Sequence, residues 1–437
     1  MGKKEQKKRI QSIRGTRDIL PPESDKWLWL ERKCRSVLGR FGYSEIRSPI
    51  FEYTELFQKG TGASTDIVLK QMYTFEDRGG RSLTLRPEGT PSVARAVIER
   101  GLLKRSRALK LYYIGPMFRY DRPQAGRYRQ FDQLGAELIG VPGVDGDAES
   151  IHLHLMLLRE LGLKQCTLKI NSVGCRECRP HYAQIVRDSL RDRLDSLCED
   201  CRTRFERNPL RVLDCKVKSC RKIAEELPSI LGCLCEVCRR QFDELKTRLT
   251  LIGLSFEEDP GLVRGLDYYT RAAFEIHHDS LGAQSALGGG GRYDDLIELY
   301  GGPPTPAVGF AAGLDRILLA VEKEGAEVPP PVPVDVYVAS VSEAAREECF
   351  ALTAFLRGKF RVEVDLLGKS LQAQMKAANS LGARLSVIIG EDELRSGIFT
   401  VRNMQSGEQQ KVPEHDLAEH IKTRLGTLAG PDDRQVG

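Results

Sequence analysis

Tyr113-Ile114-Gly115-Pro116-Met117-Phe118-Arg119-Tyr120-Asp121, then Arg127-Tyr128-Arg129-Gln130-Phe131 and on to Gln133 and Glu137, is the stretch whose reading decides the fold. Two extended segments flank an arginine-rich loop, as in a long hairpin. Arginine at a strand end grips a carboxylate or phosphate with two N–H groups at once, and several around one loop have the charge to hold a triphosphate or an RNA terminus. A hairpin that is merely solvated needs fewer. Working outward, LKLYYIG from Leu109, FDQLGAELIG from Phe131, RAAFEIHH from Arg271 and AVGFAAG from Ala307 are extended runs flanked by glycine turns. They predict a largely antiparallel sheet with helices laid on it.

Three further islands sit at the ends of apolar runs, where binding groups are usually presented. In Thr84-Leu85-Arg86-Pro87-Glu88-Gly89-Thr90, proline and glycine permit a sharp turn exposing a carboxylate beside a hydroxyl, a pairing that suits an ammonium group. By itself this heptad reads better as an ordinary charged turn. Leu262-Val263-Arg264-Gly265-Leu266-Asp267-Tyr268-Tyr269 is followed by Gly288-Gly289-Gly290-Gly291-Arg292-Tyr293-Asp294, whose glycines let backbone approach a ligand. This run is neither a Walker loop nor a clean dinucleotide fingerprint. Val308-Gly309-Phe310-Ala311-Ala312-Gly313-Leu314-Asp315-Arg316 predicts a small-residue strand entering a helix near Arg316.

At 437 residues the chain exceeds what one core organises and suggests about three units. An apolar share of 41% and a charged share of 29% fit a globular protein and argue against long disordered tracts. No apolar run approaches the roughly 20 residues of a membrane span, and the start MGKKEQKKRI lacks the apolar core of a secretory signal. A cytoplasmic address and no membrane partner are expected. Net charge is only +5, yet the basic start and Lys104 to Arg107 concentrate positive charge where phosphates could meet it.

Nine of the 12 cysteines fall between Cys175 and Cys238. Cysteines of a cytosolic chain stay reduced, so disulfides are not expected. Cys175-x-x-Cys178, Cys198-x-x-Cys201, Cys215, Cys220 and Cys233-x-Cys235-x-x-Cys238 match the spacing of tetrahedral zinc ligands, the alternative being thiols that fill a small core. The segment reads as a small, mainly helical insertion. Pro329-Pro330-Pro331-Val332-Pro333 makes a stiff linker. Beyond it, strand, helix, strand, helix and strand over 334–389, closed by a two-stranded segment at 399–412, predict a compact α/β unit.

Together the islands resemble the class II aminoacyl-tRNA synthetases, with Pro49 in the motif 1 region, Arg119 in motif 2 and Arg316 in motif 3. The Arg264 to Tyr269 run, the glycine run ending at Asp294 and Arg86 to Thr90 are similar to signatures of the histidyl-tRNA synthetase family, and the likeness extends from Arg14-Gly15-Thr16-Arg17-Asp18 into the C-terminal unit. Asp121 departs from the glutamate usual in that family. The resemblance implies an α+β catalytic domain on an antiparallel sheet over 1–169 and 251–328, interrupted by the insertion over 170–250. A linker at 329–333, an α/β anticodon-binding domain over 334–425 and a flexible tail over 426–437 complete it.

It also implies activation of histidine by ATP with Mg2+ and transfer to tRNA(His), in a homodimer joined around Pro49. Arg119 and Arg264 would be catalytic, acting on phosphate oxygens as charge accumulates there. ATP would meet Arg119, Arg127, Arg264 and Arg316. Histidine would meet Glu88, Gly89, Thr90, Arg119, Gln133, Glu137, Arg264, Tyr268 and Tyr269, with Glu137 and Tyr269 reading the ring nitrogens. Arg122, Gln124 and Arg129 would face the tRNA acceptor end. A non-catalytic relative, the regulatory subunit of ATP phosphoribosyltransferase, is the rival reading, but such proteins lose the motif arginines and the C-terminal domain. A zinc-dependent nucleic-acid-binding protein is a third, resting on the insertion alone.

Overall fold

The computed structural model describes residues 10–62, 65–124, 126–213, 215, 217–263, 266–330 and 332–428, without the side chains of 283, 284, 427 and 428. The basic run at 1–9 and most of the expected tail lie outside these. Two compact units divide between Pro329 and Pro330, within the proline run; Pro331 itself is outside the described residues.

Among the described residues, the largest sheet of the first unit has eight strands in the order Ser44–Glu45, Leu109–Phe118, Gln130–Ile139, Ala307–Gly313, Ala286–Arg292, Thr270–His278, Cys166–Ser172 and Glu257–Glu258. Neighbours are antiparallel except the two-residue strands at the edges, which are parallel. Strand alternation sorts the sequence onto two faces. Leu134, Ala136, Leu138, Phe274, Ile276, Val308, Phe310 and Ala312 point to one side. Helices Glu23–Arg40, Val144–Glu160, Glu236–Leu251 and Leu314–Glu324 cover that side with Leu30, Leu38, Ile151, Leu245, Leu249, Ile317 and Val321. Each such side chain contributes about 1.5–3 kcal/mol by leaving water.

The opposite face is left to Gln133, Gly135 and Glu137, paired across the sheet with Gly313, Ala311 and Gly309. Small residues there leave a furrow. A three-stranded sheet of Phe51–Tyr53, Ser82–Leu85 and Tyr73–Glu76 leads into the helix Thr90–Glu99, which opens with Pro91 in its first turn, where proline costs no hydrogen bond.

The cysteine-rich segment has its own core running from Cys178 to Cys238, built on Tyr182, Val186, Leu190, Val212 and Ile230. Its packing limits are narrower than 170–250. Cys166–Ser172 is a strand of the large sheet, and Phe242, Leu245 and Leu249 of the Glu236–Leu251 helix are buried in the main core. Composition changes at the cysteines, whereas packing changes where the chain leaves the sheet.

The second unit has a five-stranded sheet ordered Val362–Val364, Val336–Ser340, Leu385–Ile389, Ile398–Asn403 and Gln409–Pro413, the first three mutually parallel and the last two antiparallel. Two helices appear that the sequence pattern did not suggest. Glu391–Ser396 is too short and acidic to show apolar periodicity; Glu393 caps it by accepting from the Gly390 N–H at 3.1 Å. Leu417–Leu428 buries Leu417 and Ile421 in the core of this unit, continuing past residue 425 where the tail was expected.

Candidate active site

Two buried carboxylates define the furrow, and each is held by one threonine and one tyrosine. Glu137 accepts from Thr90 Oγ1 at 2.6 Å and from the Tyr293 hydroxyl at 2.5 Å. Glu88 accepts from Thr61 Oγ1 at 2.6 Å and from the Tyr268 hydroxyl at 2.8 Å. Glu137 is only 1% exposed, and burial pushes its carboxyl up to about 8; the two hydroxyl donors pull it back, and the nearby Glu88 adds to the rise. Burial therefore outweighs the donors. Tyr113, Tyr268 and Tyr293 are likewise held well above the ordinary tyrosine value by burial and the neighbouring carboxylates.

The glycines of the motifs are what make room. A Cβ on Gly89 or Gly135 would fall 2.2 or 2.1 Å from Tyr113 Cζ, and one on Gly309 would fall 2.0 Å from Glu137 Oε2. The glycine run Gly288 to Gly291 also serves the packing of the sheet. It forms a central strand, and a Cβ at Gly288 or Gly290 would meet the carbonyl oxygen of Ala311 at 2.6 Å or of Gly309 at 2.0 Å. At these two positions the close approach is made by a neighbouring strand, whereas Gly289 between them pairs with Ala311 and Glu275 on the furrow face.

Cations gather at one end of the furrow. Arg119 is partly buried; its Nε donates to the Pro87 carbonyl at 2.8 Å and its guanidinium lies over Phe131, 5.3 Å from the ring centre. Arg316, also partly buried, opens the Leu314–Glu324 helix. Burial first, and the charge of Arg127 next, lower the affinity of Arg316 for its proton; Arg119 is lowered by burial and by Arg127 as well. Among the described residues neither has a carboxylate within ion-pair distance. Arg127 is paired with Asp121, so the aspartate that departs from the family pattern still anchors the loop. Two guanidinium groups that form no ion pair among the described residues, each repelled by a third, favour a polyanion.

The loop is clamped from the N-terminal segment. Gly15 accepts from the Arg129 N–H at 2.7 Å, Arg17 stacks 4.8 Å from the Tyr128 ring, and Arg17 reaches Asp315 Oδ1 at 3.1 Å. Asp315 also accepts from the backbone N–H of Asp132 at 3.1 Å. Arg122 and Gln124 are exposed on the loop, while Arg129 is packed over Tyr120 at 4.0 Å. Arg264 and Gly265 lie outside the described residues.

The segment that follows them is held from the insertion. Arg179 Nη1 donates to the carbonyls of Asp267 and Tyr269, both at 3.0 Å, and Arg211 Nη2 meets Asp267 Oδ1 at 2.9 Å. Arg86 serves its neighbourhood similarly, joining Ser48 O and Oγ at 3.1 Å and Pro116 O at 2.9 Å, so the Pro49 region is locked to the hairpin. Arg292 of the glycine motif is structural: buried, it binds Asp147 at 3.0 Å, Asp294 at 3.1 Å and the Gly143 carbonyl at 2.6 Å.

The fold therefore brings Glu88, Gly89, Thr90, Gln133, Glu137, Tyr268 and Tyr269 to one furrow, Tyr113 OH reaching Gln133 Oε1 at 3.5 Å. Sequence reasoning assigned no role to Thr61, Tyr113, Tyr293 or Glu275. Glu275 was discoverable, because alternation in RAAFEIHH sets it opposite Phe274 and Ile276; it is on the furrow face, and its charge is felt by Arg316. Thr61 gave no signal at all.

Eight of the nine candidate cysteine ligands form two groups, Cys175, Cys178, Cys235, Cys238 and Cys198, Cys201, Cys215, Cys220, with the sulfurs of each within 4.8 Å of one another. Cys233 joins neither among the described residues; its thiol faces the Ser229 carbonyl at 3.8 Å.

Comparison with known proteins agrees with this geometry. The family model described as Histidyl-tRNA synthetase matches residues 15–317, and one described as Anticodon binding domain matches residues 335–424. The chain is 52% identical over 412 residues to the histidine–tRNA ligase of Desulforamulus reducens, covering 94% of this chain and 98% of that protein. It is 50% identical over 415 residues to that of Natranaerobius thermophilus, covering 94% and 99%. The crystal structure of the apo histidyl-tRNA synthetase of S. aureus superposes with a TM-score of 0.81 at 36% identity, covering 95% of this chain and all of the other. With a matched family model over most of its length, a furrow of paired carboxylates and a clamped arginine loop, this chain belongs to the histidyl-tRNA synthetase family.

Proposed function

We propose that the chain is a working histidine–tRNA ligase: it activates L-histidine with ATP and Mg2+ to the adenylate, releases pyrophosphate and passes the histidyl group to the 3′ end of tRNA(His). The observation that carries this reading is the pair Glu88 and Glu137, each anchored by a threonine and a tyrosine, beside Arg119 and Arg316, which among the described residues form no ion pair. A substrate with an ammonium group and a ring N–H that donates a hydrogen bond satisfies both carboxylates. An apolar amino acid of similar bulk brings the ammonium but no ring N–H, and leaves the buried Glu137 carboxyl with only its two hydroxyl donors, a poorer match for a buried polar group.

Arg119, Arg127 and Arg316 are the groups we assign to the triphosphate, with Arg264 at the phosphate under attack. Arg119 also faces Glu88 electrostatically, so one guanidinium can touch both substrates and align the carboxylate for in-line attack. Arg122, Gln124 and Arg129 are assigned to the acceptor end, and the second unit to the anticodon. A homodimer joined near Pro49 is favoured by the exposed Ile50, Phe51, Tyr53 and Phe75 beside it, a patch that a partner surface would cover. A cytoplasmic location suits a translation enzyme, and among the described residues no helix is long and apolar enough to cross a membrane. Zinc is the resident metal favoured by the cysteine groups. The regulatory-subunit reading is weaker, because the motif arginines and the second unit are both present. Histidine-dependent exchange of pyrophosphate into ATP by the purified chain tests the assignment; no exchange above a no-histidine control would end it.

A further inference from the structure

We propose that the insertion holds two zinc ions, one in each four-cysteine group, and that the second of them fixes the arginine that braces the histidine pocket. The metal sites stand on sulfur geometry alone; the brace rests on the pocket reading given above.

Tetrahedral zinc with Zn–S bonds of about 2.3 Å sets its sulfurs roughly 3.8 Å apart. Cys175 and Cys178 are 3.6 Å apart, Cys175 and Cys235 3.9 Å, and Cys198 and Cys215 3.9 Å. A disulfide needs about 2.05 Å, so these are not bonded pairs. An iron–sulfur cluster, in which thiolates bind different irons, needs its sulfurs further apart than these. Backbone N–H groups also point at the sulfurs: Cys198 N lies 3.2 Å from Cys220 Sγ, and Cys235 N lies 3.1 Å from Cys178 Sγ. Such donors stabilise thiolate charge and orient the ligands. Four thiolates this close repel one another unless a cation sits between them.

The first group joins the entry of the insertion to its exit, 60 residues apart at Cys175 and Cys235. The second closes the loop between Cys201 and Cys215. Inside that loop the turn Pro209–Val212 carries Arg211, and the ligand Cys215 is tied to it by its N–H on the Val212 carbonyl at 3.1 Å. Arg211 then meets Asp267, whose neighbour Tyr268 donates to Glu88. A unit of roughly sixty residues has little core of its own, and structural metal is the usual remedy. The chain of contacts runs from metal to Arg211 to Asp267 to the pocket. Arg211 is thus a positioning residue, not a catalytic one.

Full-length protein purified without chelator should contain two zinc ions per chain by elemental analysis, and replacement by cobalt should give the intense visible bands of tetrahedral thiolate coordination. Cys201→Ser with Cys215→Ser should leave one zinc. In pyrophosphate exchange, Arg211→Ala should keep both zincs yet raise KM for histidine about tenfold, with KM for ATP nearly unchanged, and Arg211→Lys should recover part of the loss. One zinc or none per folded chain, or iron in its place, overturns the pair of zinc sites. Two zincs with an unaltered histidine KM in Arg211→Ala overturns the brace. Should the cysteine variants fail to fold, the wild-type metal content and the Arg211 variants decide. Absence of any histidine-dependent exchange by the wild type would sink the activity instead, leaving the zinc count to judge the sites.

Discussion

Tyr293 donates its hydroxyl to Glu137 at 2.5 Å, across 156 positions of sequence, and with Thr90 it occupies both oxygens of a carboxyl that has almost no contact with water. The carboxyl is thereby aimed, not merely buried. Glu137→Gln keeps the shape but presents an amide, and should weaken histidine binding by about 1–3 kcal/mol, the size of a charge-assisted hydrogen bond. Steady-state exchange kinetics check this. A collapse in ATP affinity with histidine KM intact would move Glu137 to the nucleotide site.

The same residue gives a pH dependence with a definite sign. Its carboxyl in the folded, ligand-free protein is raised from 4.5 to about 8, so folding favours the protonated form. The stability this contributes is complete in acid and erodes as pH rises through that interval. Glutamine never ionises. The thermal midpoint of Glu137→Gln should therefore gain on the wild type between about pH 5 and 9. A difference that stays flat across that range would mean the shift is absent.

Arg119 has burial against it and Arg127 beside it, so its charge is costly in the empty site and most useful when phosphate charge develops. Arg119→Ala should lower the exchange kcat by about 100- to 1000-fold, as loss of a preorganised donor does. The circular dichroism spectrum should stay native. Retention of more than about a tenth of the rate would remove it from the chemistry.

Arg292 stands in a family signature, and its buried guanidinium is engaged by Asp147, Asp294 and the Gly143 carbonyl. Arg292→Met leaves Asp147 buried without its cation, and should cost about 3–5 kcal/mol in urea unfolding. A loss below about 1 kcal/mol would equate it with a surface pair and reopen a functional role.

Much of this was legible in the sequence, and the reason is period. Leu134, Ala136 and Leu138 against Gln133, Gly135 and Glu137 announce a half-buried strand and say which face carries polar groups. Motif spacing likewise announced the arginine loop. What stayed hidden is whatever depends on distant pairing. Tyr268 and Glu88 are 180 residues apart, and nothing local in either predicts the other. The nine clustered cysteines were visible, but their partition into two nested groups, with Cys233 excluded, follows from how the helices of the insertion fold back. Half of the glycine run's meaning was hidden, because room for a ligand and room for a neighbouring strand are written with the same residue, and only pairing shows that Gly288 and Gly290 serve the strand.

The clamp between Arg17 and Asp315 spans 298 positions. Synthesis delivers the arginine among the earliest residues and the aspartate only after the central strand Ala307–Gly313 has been made. The clamp over the arginine loop consequently closes near the end of translation of the first unit, when the sheet beneath it is complete. A chain released early would carry the loop's positive charge without its fixed shape, and would bind polyanions by charge alone, loosely and with steep sensitivity to salt.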